Sequence, residues 1–145
     1  MVPEIKTYIP RYRNQVLSVW EKSVLATHQF LSEKDFIIIK ANLSDFDFST
    51  INMHCLVNDD QVLGFIALND HKIEMLFLDP LFIGKGFGKR LMNFALETFG
   101  ANEVDVNIQN ANAVAFYHSL GFKPYEETKV DDFGMNYPLY RLKLQ

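Results

Sequence analysis

Between Leu76 and Leu91 an apolar run ends at Asp79-Pro80, and glycines then stand at every second position, Gly84, Gly86 and Gly88. Phe87, Leu91, Ala95 and Phe99 follow at four-residue intervals, the spacing of one helix face. The stretch therefore reads as strand, glycine turn, helix. Main-chain N–H groups at such a turn converge on one point, the helix dipole adds positive character there, and glycine permits close approach of an anion. Lys85, Lys89 and Arg90 reinforce the sign. The expected ligand is a pyrophosphate. The competing reading is an ordinary tight turn.

Two familiar phosphate motifs are excluded. A Walker loop needs Gly-Lys followed by Ser or Thr, whereas Gly84-Lys85 is followed by Gly86. A dinucleotide fingerprint has a different glycine spacing and an acidic residue ending a second parallel strand, and Glu103 begins an apparent strand instead.

The 145 residues fit one domain, taken as 1–145. A chain 48% hydrophobic and 14% aromatic can build a substantial core. The formal charge of −4 argues against a general nucleic-acid binder. One cysteine, Cys55, allows neither an internal disulfide nor a multi-cysteine metal site, and no metal is expected. The start lacks an apolar signal region and no run approaches a membrane span, so a cytoplasmic protein without membrane association is expected.

In chain order, Glu4–Ile9 reads as a strand, Tyr12–His28 as a helix with Val16, Val19, Trp20 and Val24 inward, and Ser32 as N-cap of a helix over Glu33–Leu43. Ser44–Ser49 reads as a loop with exposed Phe46 and Phe48. Ile51–Val57, Val62–Asn69 and Lys72–Leu78 read as strands joined by tight turns, hence an antiparallel meander. The helix Phe87–Phe99 ends at Gly100. A strand Glu103–Ile108, a helix Asn112–Leu120 and strands Phe122–Val130 and Pro138–Leu144 complete the chain.

Two later segments change the weight of the glycine turn: Asn107-Ile108-Gln109-Asn110-Ala111-Asn112-Ala113, and Ala115-Phe116-Tyr117-His118-Ser119-Leu120-Gly121-Phe122. With the loop, they resemble the signatures of the GNAT superfamily of acyl-CoA-dependent N-acetyltransferases. These are Arg/Gln-x-x-Gly-x-Gly/Ala after the fourth strand, then an Asn-rich helix start leading to Phe-Tyr-x-x-x-Gly-Phe. The resemblance spans roughly Val62 to Phe122, and one position departs: Ile83 stands where the family has Arg or Gln. Because the family holds the diphosphate mainly through main-chain amides, the binding mode is expected to persist.

The resemblance implies an α/β (α+β) fold: a mixed, mainly antiparallel sheet of six to seven strands, the fourth and fifth splayed apart, flanked by about four helices. It implies acetyl-CoA as cosubstrate, with Ile83, Lys85, Gly86, Gly88 and Lys89 around the pyrophosphate, Gly84 and Phe87 also binding the cofactor, and Leu76, Phe77 and Leu78 offering main-chain groups to the pantetheine arm. Asn112, Phe116 and Tyr117 would also contact the cofactor, and Asn112 has an alternative role as helix N-cap.

The chemistry requires an acid at the departing thiolate and a base for the ammonium. Tyr117 is the candidate acid, its alternative being simple packing. Asn107 is a candidate polar group near the arm or the amine. Glu74, just upstream of the cofactor loop, is the candidate base, or else a solvent-facing carboxylate. His28 is the rival base and, with Phe30, lies in a segment that covers the acceptor groove in the family. Asp132 is a candidate for attracting a cationic acceptor, or else part of a solvated loop. The leading expectation is an N-acetyltransferase acting on a small amine or a peptide, by direct transfer, as a monomer or homodimer. A non-catalytic acyl-CoA-binding or sensor domain and a long-chain acyltransferase are the alternatives.

Overall fold

Three aspartates adopt positive φ, Asp59 at 48°, Asp60 at 64° and Asp70 at 58°. Asp tolerates this left-handed region better than most residues and so suits hairpin turns. These turns join β2 (Asn52–Asn58), β3 (Gln61–Asn69) and β4 (Lys72–Leu78) into the expected antiparallel meander. The computed structural model describes residues 1–144. Their seven strands form one sheet in the order β1-β2-β3-β4-β5-β7-β6, with β1 (Glu4–Thr7), β5 (Glu103–Asn107), β6 (Phe122–Thr128) and β7 (Leu139–Leu144). Neighbours pair antiparallel except β4 and β5, which are parallel.

Alternation along the central strands builds two cores. Met53, Cys55, Phe65, Ala67, Met75 and Phe77 face α1 (Arg13–Thr27) and α2 (Glu33–Ser44). Leu56, Ile66, Leu68, Leu76 and Leu78 face α3 (Phe87–Phe99) and α4 (Ala111–Ser119). The helix α1 buries Val16, Val19, Trp20 and Val24, as the spacing predicts. Ser32 caps α2 by accepting from the Asp35 N–H. Gly100 closes α3 with φ of 64°, a conformation that glycine adopts without steric cost.

Two sequence expectations are corrected. Phe48 is fully buried, in a short 3-10 turn over Phe48–Thr50. Tyr8 packs edge-on against it with centroids 5.7 Å apart, and the Arg13 guanidinium lies 5.0 Å over its ring. Polar Asp47 and Ser49 on either side hide this anchor from a pattern reading. Asn112 does not cap α4: the Asn110 side chain accepts from Ala113 N–H, and Asn112 is exposed within the first turn.

Candidate active site

Ala67 pairs with Met75 and Leu68 with Ile73, so Glu74 is an extra residue in β4, without a partner in the β3 ladder. This is a β-bulge, a device that bends a strand and redirects a side chain. The same point ends contact with β5, since only Lys72–Glu103 and Ile73–Val104 pair. Beyond Ile73 the two strands fork, as expected. A cavity of about 210 Å³ lies in the fork, lined by Glu74, Leu76, Phe77, Asn107, Asn110 and Tyr117 among others, with His28 at its side.

The ladder alternation assigns the main-chain groups of β4. Asp79 N–H donates to Leu63 O at 2.8 Å, and Phe77 lies opposite Phe65 in the same phase. Leu76 and Leu78, out of phase, therefore direct their N–H and C=O into the fork. Phe77, expected to offer main-chain groups there too, has them directed toward β3.

At the fork's open end, Asp79 is buried and its carboxylate accepts from Leu81 N–H, starting a 3-10 turn over Pro80–Phe82. Ile83 follows, exposed, its own N–H on Pro80 O at 3.4 Å. Gly84 and Gly86 have φ of 84° and 81°, and a Cβ on either would meet nothing within 4 Å. They are glycines for backbone geometry, and the space above them is open. The N–H groups of Gly84, Lys85 and Gly86 find no main-chain acceptor among the described residues, and those opening α3 have none within the helix. A diphosphate fits this set of donors. Lys85 and Lys89 are exposed beside it. Arg90, by contrast, donates to the Pro3 carbonyl and is held away from the loop. At Gly88 a Cβ would lie 3.5 Å from Leu78 and 3.6 Å from Phe116, so this glycine seats α3 between β4 and α4, with Phe87 packed on the same core.

Tyr117 is buried as a residue and lines the fork, and no group among the described residues hydrogen-bonds its hydroxyl, which is not itself sealed from solvent space. That hydroxyl therefore meets the cavity space. Burial raises its pKa well above the ordinary phenol value, so it holds its proton. His28 caps the end of α1 and lies 2.7 Å, Nδ1 to Oγ1, from Thr27. Burial lowers its pKa, which keeps the imidazole neutral.

A second cavity of about 290 Å³ adjoins the fork and shares Glu74, Phe77, Asp105, Asn107 and His28 with it. Phe30 lines it, its ring centroid 5.2 Å from His28 and 6.0 Å from Tyr137. Tyr137 donates to Asp35 and accepts from Ser32 N–H, tying the α1–α2 turn to the loop before β7. Asp132 lines this cavity but accepts from Arg141 at 2.8 Å, and that hydrogen bond holds its carboxyl below the usual range. Arg141 also holds Asp105 and Glu126, and Lys72 joins at Asp105. Asp132 therefore fastens a loop as well as facing the cavity. Asn112 is not part of the lining; Asn110 and Ala113 of the same turn are.

The description "Acetyltransferase (GNAT) domain" matches residues 11–142. The chain belongs to the GNAT acetyltransferase family. Among GNAT relatives, a peptidyl-lysine N-acetyltransferase of Salmonella typhimurium, YjaB, is 36% identical over 128 residues, 88% of each chain. The Escherichia coli YjaB is 36% identical over 132 residues, 88% of this chain and 87% of its own. The solution structure of apo YjaB from Escherichia coli superposes with a TM-score of 0.91 at 34% identity, covering 99% of this chain and 97% of that one. A Thermoplasma acidophilum PaiA N-acetyltransferase in complex with coenzyme A shares the fold, with a TM-score of 0.72 at 22% identity over 99% of both chains. The protein is thus an acyl-CoA-dependent N-acetyltransferase.

Sequence reasoning missed Asp79, Asp105, Asn110 and Tyr137. The Asp79-Pro80 step is a readable turn signal. Asn110 carries a readable N-cap signal, with Asn112 two residues on as its competitor. Asp105 and Tyr137 take their meaning from residues distant in sequence.

Proposed function

We propose that this protein transfers the acetyl group of acetyl-CoA directly to the ε-amine of a lysine in a peptide or protein; its YjaB relatives are named peptidyl-lysine N-acetyltransferases. The supporting observation is that Glu74, Asn107, Tyr117 and His28 converge on one cavity where β4 and β5 part. The amides of the Gly84–Lys89 loop bind the diphosphate. Leu76 and Leu78 meet the amides of the pantetheine arm, which lies in the fork like an added strand.

The lysine arrives as an ammonium, and Glu74, directly or through a water, removes one proton. The amine nitrogen attacks the thioester carbonyl, forming the C–N bond, and the C–S bond breaks as the tetrahedral adduct collapses. The departing sulfur takes a proton from Tyr117, and the nitrogen's second proton, passed through solvent, restores the phenol; Glu74 gives up its proton to solvent, so the net products are acetyl-lysine, CoA thiol and one proton. Neutral His28 is the rival acceptor for the ammonium proton. Asn107 orients the amine or the arm. Phe30 and the Asp132 loop wall the acceptor cavity. One chain supplies every one of these groups, so a monomer suffices for the reaction. Cys55, whose thiol burial pushes up to about 12, stays protonated and is not suited to forming an acyl-enzyme.

Ile83, apolar and exposed at the family's Arg/Gln position, is the departure behind the alternative of an acyl-CoA-binding domain without turnover. The test combines acetyl-CoA with a lysine-peptide library and follows thiol release and acetyl-lysine by mass spectrometry. Stoichiometric thiol and acetyl-lysine support transfer. Tight acetyl-CoA binding with no thiol released by any peptide or amine supports the binder.

A further inference from the structure

Resting on that lysine reading, we infer that the enzyme selects lysines with a bulky apolar residue nearby in the peptide, which seats in a groove beside the acceptor cavity. The groove encloses about 890 Å³, near the upper end of the roughly 300–1,000 Å³ typical of ligand clefts. Ile39, Leu43, Phe46, Ile51, Met75 and Phe133 supply its apolar surface, drawn from α2, the segment before β2, β4 and the loop before β7. Glu74 and Phe77 line this groove, the acceptor cavity and the fork alike, so the three spaces meet at the bulge.

Continuity and charge identify the occupant. A lysine side chain is a slender four-carbon stem with a terminal ammonium, so its path to Glu74 leaves most of the groove unfilled. A neighbouring residue of the same peptide is the part of the substrate that reaches it. The charged residues in the groove lining, Asp70 and Glu74, are both acidic. They attract a cationic segment and repel an acidic one. Phe133 and Phe46 leave 78% and 38% of their surfaces exposed, aromatic area for an apolar side chain to cover. A long acyl chain on the donor is the competing occupant; the groove opens on the acceptor cavity as well as on the fork, which puts a residue of the acceptor peptide within its reach.

The experiment compares kcat/KM for peptides with one lysine, carrying Leu, Gly or Glu at each position within three residues of it. At the preferred position, Leu is expected to exceed Gly at least tenfold, with Glu below Gly. Asn42→Trp, at an exposed groove position on α2, is expected to bring the Leu-to-Gly ratio toward one. A ratio near one in the parent enzyme, with every peptide acetylated, overturns the groove inference and leaves lysine acetylation standing. Faster transfer of octanoyl than acetyl to the Gly peptide assigns the groove to the acyl chain and likewise overturns it. Acetylation of none of the peptides overturns both readings.

Discussion

Ile73 and Val104 form the last rung between β4 and β5, and one residue later Glu74 has left both ladders. A single extra residue thus opens the fork and turns a carboxylate into the space where three cavities meet. Glu74→Gln keeps the bulge and its side-chain volume while removing the proton acceptor. The expected result is a kcat lower by about 10²–10⁴-fold, the usual contribution of a general base, with acetyl-CoA affinity and Tm unchanged. Stopped-flow or coupled thiol assays with calorimetric binding check it. An unchanged kcat removes Glu74 from the chemistry.

The loop prediction separates fold from ligand. Gly86→Ala places a Cβ in a left-handed residue, for about 1–2 kcal/mol of strain, but in open space. Gly86→Glu carries the same strain and adds a negative charge where the diphosphate binds. Both variants are expected to fold with a similarly reduced Tm, whereas acetyl-CoA affinity falls far more for Glu than for Ala. Titration calorimetry on both measures the difference.

Those two positions mark what a sequence can convey. The glycine loop was legible because its φ demands, the preceding apolar strand and the following helix are all local. The bulge was not, because Lys72–Leu78 alternates acceptably as a plain strand, and only the register against β3 exposes the extra residue. Asp132 reads from sequence as a free acid, and its partner Arg141 sits nine residues on, across a loop and in another strand. Phe48 reads as a loop aromatic because its neighbours are polar, while Tyr8, just after β1, and Arg13 of α1 pack on its ring from forty and thirty-five residues away.

Tyr117→Phe deletes only the hydroxyl. Turnover is expected to fall by about 10²–10⁴-fold with little change in KM for acetyl-CoA. Because burial raises the phenol's pKa, the acid stays loaded through pH 10, and the wild-type rate profile gains no alkaline limb from it. The linked stability effect has a definite sign. An unfolded tyrosine ionises near pH 10, so Tyr117's contribution is complete below that pH and is lost as pH climbs toward its higher folded value. Urea titrations at pH 8 and pH 11 on the parent and Tyr117→Phe test this, with the variant expected to lose less.

His28 titrates in the opposite sense. Burial depresses its folded pKa, as it does for His54. An unfolded histidine has a pKa near 6.5. Stability is therefore held above pH 6.5 and falls as pH drops through the lower folded values. Thermal melts from pH 8 to pH 5 are expected to show this decline, shallower in His28→Gln. If His28 is a bystander to Glu74, kcat of that variant at pH 8 stays within about threefold of the parent, far from the loss typical of a missing base.

Asn110 and Asn112 separate capping from catalysis on one helix turn. Asn110 accepts from Ala113 N–H and also lines the fork, whereas Asn112 makes no such cap and stands exposed. Losing an N-cap costs roughly 0.5–2 kcal/mol, so Asn110→Ala is expected to lower stability by that amount. Asn112→Ala should leave the denaturant midpoint in place. Asn110→Asp restores the acceptor oxygen and should recover the stability. Its added charge, set beside the arm, should still weaken acetyl-CoA binding. A midpoint that moves for Asn112 and not for Asn110 would reverse the assignment of the cap.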